Sequence, residues 1–196
     1  HRLCGCIPIQ GAKNSCLPIL AATLLGGGTS VICNCPRLSD VDAAVEILRY
    51  LGCRIVREGN TLSVDSTGAC GHTVPEELMR EMRSSIVFLG PVLSRMGKAV
   101  LSAPGGCELG PRPIDLHLDA LRRLGAKIEE QHGFLYCEAP HGLKGAKISL
   151  SFPSVGATEN IMLAAVLAQG RTVIHNAAEE PDIVDLAAYL NQRGGR

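Results

Sequence analysis

Aromatic residues, net charge and long apolar runs are all scarce in this sequence, and each scarcity excludes a class of protein. There is no Trp and only 3% of the residues are aromatic, so the core is expected to be aliphatic. Nineteen basic residues balance nineteen acidic ones, with no basic cluster interleaved with aromatics, which argues against binding to nucleic acid or to an anionic membrane surface. No apolar run approaches the roughly 20 residues that a membrane span needs.

Signals for export and for metal binding are also missing. No basic and apolar leader opens the sequence, and an odd number of cysteines, nine, fits a reducing compartment, so we expect a cytoplasmic protein. The sequence starts at His1 and ends at Arg196 where a further strand is due, so we expect it to be part of a longer chain. Cys4 and Cys6 are too closely spaced for a zinc knuckle, and no second pair answers them. We therefore expect neither a metal nor another cofactor.

An internal repeat of about seventy residues organises the chain. Each copy has an apolar helix, a short strand, an amphipathic helix and then a strand pair. The apolar helices are expected at 17–25, 86–93 and 161–168, the short strands at 30–33, 99–102 and 172–175, the amphipathic helices at 41–51, 118–124 and 183–190, and the strand pairs at 54–57 with 61–64 and 127–130 with 134–137. The prediction is an α/β fold of threefold repeated helix-strand-helix-strand-strand units around buried helices. The units span approximately residues 11–70, 82–140 and 154–196, and the last is truncated.

The first turns of the three apolar helices lie at equivalent places in the repeat, and we expect them to bind anions. Unpaired backbone N–H groups and the positive end of the helix dipole favour negative charge there. Lys13 and Arg83 are unfavourably placed at such starts, at a cost of a few tenths up to about 1 kcal/mol, unless an anion joins them. A bound phosphate would offset that cost. The alternative is that both side chains bend into solvent.

Most of the cysteines are expected to be small core residues, and we interpret Cys16, Cys33 and Cys53, which lie in apolar runs, as packing residues. Cys107 is different because it lies in PGGCELGPRP, residues 104–113. Glycines there permit unusual backbone conformations and prolines stiffen the flanks, so the segment is expected to be an exposed loop. The nearby Arg112 favours a reactive thiolate, although Glu108 acts in the opposite sense.

Four motifs together resemble the UDP-N-acetylglucosamine enolpyruvyl transferases, enzymes of the first committed step of bacterial peptidoglycan synthesis. The motifs are GAKNSCLPIL at 11–20, PGGCELGPRPIDLH at 104–117, PSVGAT at 153–158 and NAAEEPD at 176–182. Members of that family have two similar domains, each an inside-out α/β barrel of three repeated units. The resemblance therefore implies that residues 1–196 are the first domain and that a second domain of the same enzyme is its partner.

The resemblance also implies an activity: transfer of the enolpyruvyl group of phosphoenolpyruvate to the 3-hydroxyl of UDP-N-acetylglucosamine, with release of phosphate. It implies catalytic roles for Cys107, the general acid and the residue alkylated by fosfomycin, and for Lys13 and Arg112, which contact phosphoenolpyruvate. The implied substrate-binding residues are Lys13, Asn14, Arg83, Arg112, Pro113, Ile114, Asp115, Leu116, Pro153, Ser154, Val155 and Gly156. Phe152 stands where some relatives have Lys, and His117 either tunes the thiol or lines a helix.

Two other functions stay open at this point. The related enolpyruvyl transferase of the shikimate pathway shares the architecture, but the Cys107 loop and the GAKN start argue against it. The chain as given is alternatively a module that only binds a nucleotide sugar, because the resemblance assigns the base and further arginines to the second domain. A phosphate-release assay with both substrates separates turnover from binding.

Overall fold

The computed structural model of the chain describes residues 4–7, 9–82, 84–102 and 114–195. The α-helices of the described residues are α1 (Lys13–Ala22), α2 (Ser39–Tyr50), α3 (Glu76–Glu81), α4 (Leu89–Met96), α5 (Asp115–Arg123), α6 (Val155–Ala165) and α7 (Pro181–Gln192). The strands are β1 (Thr29–Ile32), β2 (Arg54–Glu58), β3 (Thr61–Asp65), β4 (Thr73–Val74), β5 (Lys98–Ser102), β6 (Lys127–Gln131), β7 (Phe134–Glu138), β8 (Lys147–Ser149) and β9 (Val173–His175). A 3₁₀ helix, Ser85–Phe88, leads directly into α4.

Three helical segments form the centre of the core: α1, the 3₁₀ helix with α4, and α6. Their residues are mostly apolar, and Leu20, Phe88, Leu93 and Ile161 have almost no contact with solvent. The segment from the 3₁₀ helix through α4 packs against α6, and the 3₁₀ helix also touches α1. A helix that is apolar on nearly every side is stable only when it is enclosed. The amphipathic helices α2, α5 and α7 therefore cover this centre with one face and present the other to solvent.

The three amphipathic helices end in the same way, which confirms the repeat in backbone geometry. Gly52, Gly125 and Gly194 each come two residues after the last helical residue, with φ angles of 98°, 99° and 94°. Each glycine N–H donates to the carbonyl three residues back, and the next N–H donates to the carbonyl five residues back, at 2.9–3.0 Å. Left-handed backbone of this kind favours glycine, which explains why the sequence has glycine at all three places.

The strands of the described ranges form three separate sheets. The first has the antiparallel order β1-β3-β2, and Ser30 pairs with Val64 in its register. The second has the order β4-β5-β7-β6, in which β4 runs parallel to β5 and the other pairs are antiparallel. The third consists of β8 parallel to β9. In the first two sheets, the strand that follows the buried helix thus lies next to the second strand of the hairpin: β1 lies next to β3, and β5 lies next to β7.

The predicted fold class is confirmed, and the structure adds elements that the sequence pattern did not show. In the second and third units a short strand, β4 or β8, precedes the buried helix. It pairs in parallel with the strand that follows that helix, β5 or β9 respectively. Helix α3, of only six residues, was also not expected. The two strands were missed because two or three residues are too few to show a period, and α3 was missed because its six residues complete fewer than two helical turns. The exact bounds of the units stay predictions.

One packing prediction is wrong. Cys16 and Cys53 are buried, as expected, but Cys33 is exposed. Side chains of a strand alternate between its two faces, so Cys33, two residues after the exposed Val31, continues the solvent face of β1 beyond its end. The apolar run that contains Cys33 therefore extends past the part of the strand that the core covers.

Candidate functional site

The first turn of α1 is held against the loop that joins β1 to α2. A Cβ atom on Gly11 would lie 2.1 Å from the carbonyl oxygen of Asn34, so only glycine fits at this position. Asn34 itself has a left-handed φ of 54°. The contact fixes where α1 begins and presents the exposed Lys13 and Asn14 at its first turn.

Lys13 has a partner that the sequence did not predict. Its Nζ atom lies 2.8 Å from Oδ2 of Asp40, in the first turn of α2, and the Lys13 side chain is 43% exposed. Tertiary packing therefore brings a carboxylate, Asp40, beside Lys13, and this anion offsets the cost of a cation at the helix start. An ion pair this exposed contributes little to stability, so an incoming anion can compete for Lys13 at small cost.

The starts of α5 and α6 lie side by side. A Cβ atom on Gly156 would be 3.3 Å from Cε1 of His117, which places the predicted segments 114–116 and 153–156 next to each other. The hydroxyl of Ser154 caps α6 by accepting from the backbone N–H of Ala157 at 3.3 Å. Asp115 and Pro153 are exposed, and Ile114, Leu116, Ser154, Val155 and Gly156 are half-buried. The predicted nucleotide-sugar residues of the described part therefore form one surface.

His117 is a buried residue that lines this surface from below. Its Nδ1 lies 2.9 Å from Nδ2 of Asn160, which also donates to the carbonyl of Ile86 at 2.8 Å. Because the amide nitrogen of Asn160 can only donate, Nδ1 of His117 accepts and the proton lies on Nε2. Burial lowers the pKa of His117 to about 4, so the ring is neutral near pH 7. Of the two roles left open for His117, the described contacts show a structural one.

A carboxylate-rich cluster joins the starts of α1, α6 and α7. The hydroxyl of Ser15 lies 2.6 Å from Oδ2 of Asp185 and 3.1 Å from Oδ1 of Asp182. Glu159, one turn into α6, is only 7% exposed. Burial raises its pKa to about 8, and the charge of Asp182 acts in the same direction. The cluster extends the site from the first turn of α1 to that of α6.

Sequence reasoning missed Asp40, Glu159, Asn160 and Asp182. The one available signal was Glu159 with Asn160, two polar residues inside an otherwise apolar helix. The predicted residues Arg83, Cys107, Arg112 and Pro113 lie outside the described residues. Among the residues described, no group of three or more His, Cys, Asp or Glu side chains is arranged to hold a metal ion.

Two cavities adjoin α6 at opposite ends. A groove of about 420 Å³ near its start is lined by Pro153, Asn176, Ala177, Glu179 and Glu180. A cavity of about 500 Å³ near its end lies between α6, α7 and β9, roughly 15 Å along the helix from the predicted site. The second cavity is the more apolar, but no predicted substrate residue lines it. We place the site at the start of α6, where the polar groups converge.

Comparison with solved structures identifies the class of fold. The enolpyruvyl transferase NikO from Streptomyces tendae superposes with a TM-score of 0.85 over 97% of this chain and 45% of that one, at 24% identity. An EPSP synthase from Acinetobacter baumannii superposes with a TM-score of 0.71 over 91% of this chain and 42% of that one, at 19% identity. The fold is that of a domain of the enolpyruvyl transferases.

The family model of EPSP synthase (3-phosphoshikimate 1-carboxyvinyltransferase) matches residues 1–196, and the chain belongs to this family. Among curated relatives, UDP-N-acetylglucosamine 1-carboxyvinyltransferase 1 of Symbiobacterium thermophilum is 54% identical over the whole chain and 45% of its own length. UDP-N-acetylglucosamine 1-carboxyvinyltransferase 2 of Caldanaerobacter subterraneus subsp. tengcongensis is 53% identical over the whole chain and 46% of its own length. The chain thus spans less than half the length of these relatives.

None of the helices within the described ranges is both long enough and apolar enough to cross a membrane.

Proposed function

We propose that the protein containing this chain transfers the enolpyruvyl group of phosphoenolpyruvate to the 3-hydroxyl of UDP-N-acetylglucosamine, in the cytoplasm, as a step of peptidoglycan synthesis. The observation that carries the proposal is the identity of 54% over the whole chain with a relative named for that substrate. By contrast, the solved EPSP synthases are only 19–20% identical to it. The difference favours the nucleotide sugar over a shikimate phosphate as acceptor.

The described geometry supports binding of an anionic acceptor at α5 and α6. The first turn of α6 offers backbone N–H groups and a positive dipole end to a diphosphate, and its start is open to solvent beside Pro153. Asp115 and Leu116 adjoin that turn through the contact between His117 and Gly156. We assign the nucleotide-sugar subsite to Ile114, Asp115, Leu116, Pro153, Ser154, Val155 and Gly156, together with Arg112 and Pro113.

We assign phosphoenolpyruvate to the first turn of α1. Lys13 and Asn14 are exposed there, and the exposed ion pair with Asp40 keeps Lys13 close to that turn without burying it. Cations offset the carboxylate and phosphate charges of phosphoenolpyruvate and hold it against the acceptor. Arg83 and Arg112 complete this cationic set in our assignment.

In the reaction we propose, the sugar 3-hydroxyl attacks the vinyl carbon of phosphoenolpyruvate, and Cys107 protonates the neighbouring methylene carbon. Loss of a proton from the resulting methyl group then expels phosphate and leaves the enolpyruvyl ether. A positioned general acid such as Cys107 contributes about 10²- to 10⁴-fold to the rate. The base and the opposing wall of the site come from the second domain, which is the partner that the length of the relatives supports.

The test is phosphate release from phosphoenolpyruvate by the full-length protein, with UDP-N-acetylglucosamine or shikimate 3-phosphate as acceptor. We expect phosphate release when UDP-N-acetylglucosamine is the acceptor and none when shikimate 3-phosphate is the acceptor. A Lys13→Ala variant should lose at least about tenfold in kcat/KM, or about 1.4 kcal/mol of transition-state stabilisation. Lys127→Ala, which removes an exposed lysine of β6, is the matched control and should leave kcat/KM unchanged. Phosphate release with shikimate 3-phosphate as acceptor would overturn the assignment, and so would the lack of release with either acceptor.

A further inference from the structure

Two buried thiols lie in contact between the segments that carry Lys13 and Asp40. Cys16 is in the second turn of α1, and Cys35 is in the loop between β1 and α2. Their sulfur atoms are 3.1 Å apart, and the residues are 6% and 2% exposed. Sulfur atoms in a disulfide are about 2.05 Å apart, so a shift of roughly 1 Å would bring these two to bonding distance. Within the described parts of the chain, no other two cysteine sulfurs form such a contact.

The two thiols are not equivalent. A hydrogen bond joins the two thiols, and either sulfur can be its donor. With Cys16 as the donor, the bond lowers the pKa of Cys35, and the nearby Arg57 guanidinium acts in the same direction. The same hydrogen bond, with burial, raises the pKa of Cys16. By comparison, the pKa values of Cys53 and Cys137 are raised to about 11, with burial as the largest cause. Cys35 is therefore the sulfur with more thiolate character, and Cys16 is positioned to resolve a first oxidation there.

We propose that Cys16 and Cys35 are a redox modification site, at which hydrogen peroxide joins the two thiols in a reversible disulfide. In the first step the Cys35 thiolate attacks peroxide, giving a sulfenic acid and hydroxide. Cys16 sulfur then attacks the Cys35 sulfur, forming the S–S bond and expelling a second hydroxide. The two thiol protons convert the two hydroxides to water, so two thiols and one peroxide give one disulfide and two waters. An external dithiol reverses the reaction by thiol–disulfide exchange.

The disulfide would act on the first turn of α1. Cys16 is three residues after Lys13, and the loop that carries Cys35 also provides Asn34, which is packed against Gly11. The start of α1 and the loop that carries Cys35 are already in contact. Shortening the 3.1 Å distance between the two sulfur atoms to a bond must therefore shift one of these segments against the other. This consequence rests on the proposed function, in which Lys13 and Asn14 bind phosphoenolpyruvate. A misplacement of about 1 Å in such a site costs on the order of 100-fold in rate.

The modification itself is tested by peptide mapping after brief peroxide treatment and blocking of the remaining free thiols. Trypsin leaves residues 14–37 as one peptide, which holds Cys16, Cys33 and Cys35, because no Lys or Arg lies between Lys13 and Arg37. Chymotrypsin then cuts at the leucines between Cys16 and Cys33. We expect a disulfide-linked pair of fragments in the natural chain and in the Cys33→Ala variant, and none in Cys35→Ala. Blocked thiols at both Cys16 and Cys35 after peroxide, or loss of the link in Cys33→Ala, would overturn the proposal.

The functional consequence is tested separately by calorimetry on the full-length protein. A Cys107→Ala background removes the contribution of the Cys107 thiol, and phosphoenolpyruvate is titrated in the presence of UDP-N-acetylglucosamine. Peroxide should weaken phosphoenolpyruvate binding at least about tenfold, dithiothreitol should restore it, and adding Cys35→Ala should abolish the effect. A mapped disulfide with unchanged affinity would overturn the regulatory consequence. Absence of binding before oxidation would instead refute the proposed function and leave the disulfide intact as a finding.

Discussion

Glu159 is the residue whose surroundings fit its chemistry least well. It lies in an otherwise apolar buried helix, and no cation is paired with it in the described part of the chain; burial and the charge of Asp182 raise its pKa from 4.5 to about 8. Near pH 7 it is therefore mostly protonated in the folded state and ionised in the unfolded state. Because the pKa of Glu159 is raised on folding, the contribution of its protonated form to the free energy of unfolding is complete below pH 4.5. That contribution is lost as the pH rises through about 8.

We predict that Glu159→Gln makes the chain more stable at alkaline pH. Between pH 4.5 and 8 the free energy of unfolding of the variant should increase relative to that of the natural chain by up to about 1.4 kcal/mol per pH unit, because the glutamine amide binds no proton. Urea unfolding at pH 5, 7 and 9 measures the difference. The exposed Glu180→Gln change is the control and should leave the slope unaltered. Parallel pH profiles for the natural chain and Glu159→Gln would show that the carboxyl is not desolvated.

Residue-level features were the least predictable from sequence. Lys13 and the GAKN start could be singled out because their type and position carry a signal, but Asp40 could not, since the turn of α2 that holds it is brought close only by folding. Ser15 looks like a small residue in an apolar helix, yet its hydroxyl bonds Asp182 and Asp185, more than 160 residues away. Pairings of this kind depend on tertiary structure, which leaves no local pattern.

At the scale of elements, Asn160 connects three of them. Its side chain accepts from the backbone N–H of Gly90 at 2.7 Å in α4, donates to the carbonyl of Ile86 in the 3₁₀ helix, and contacts His117 in α5. A Cβ atom on Gly90 would lie 2.6 Å from the Asn160 amide oxygen, so the glycine is what allows this approach. The amide thereby satisfies polar groups that have no route to water.

Asn160→Ala is expected to destabilise the chain severely. The change leaves the Gly90 N–H, the Ile86 carbonyl and the His117 ring without their buried partner, at about 1–3 kcal/mol for each group left unsatisfied. Chemical unfolding at pH 7 would show the loss, and Asn191→Ala, an exposed asparagine of α7, provides the comparison. Similar midpoints for the two variants would mean that the amide network adds nothing to stability.

The helix ends give an independent test of the repeat. Gly125→Ala should cost about 1 kcal/mol because φ is 99° there, whereas nothing lies within 4 Å of the added methyl group, so the cost is one of backbone conformation alone. Gly68→Ala is the matched control, since its φ is not in the left-handed region and its nearest contact is an ordinary 3.7 Å. Equal unfolding free energies for the two variants would contradict the role given to the helix-end glycines.

Longer elements were predictable because their periods are complete. The helices α2, α5 and α7 and the hairpins β2–β3 and β6–β7 follow regular patterns of at least four or five residues, and the expected ranges agree with the structure to within a few residues. By contrast, Thr73–Val74 and Lys147–Ser149 are strands only because β5 and β9 lie beside them. Their parallel pairing is decided by the packing of whole units and cannot be read from so few residues.

At the scale of the whole molecule, the fold places two predicted ligand segments on one side of a core formed by three buried helices. The start of α1 is joined to the start of α7 through Ser15 and Asp182, and the charge of Asp182 acts on Glu159 of α6. The starts of α5 and α6 meet at His117 and Gly156. In the function we propose, these groups form part of an anion-binding site, and the rest comes from the part of the longer relatives that this chain does not span. Binding and turnover are therefore expected to separate in the chain taken alone.

Phosphate release by the 196-residue chain alone, supplied with phosphoenolpyruvate and UDP-N-acetylglucosamine, tests this central claim most directly. A site without its base and opposing wall cannot exclude water or align the reacting atoms. We predict no release above the rate without protein, although the full-length protein is active in the same assay. Release by the chain alone at a rate typical of whole enzymes, about 10 per second, would contradict the account, because it would show that one domain holds the complete catalytic apparatus.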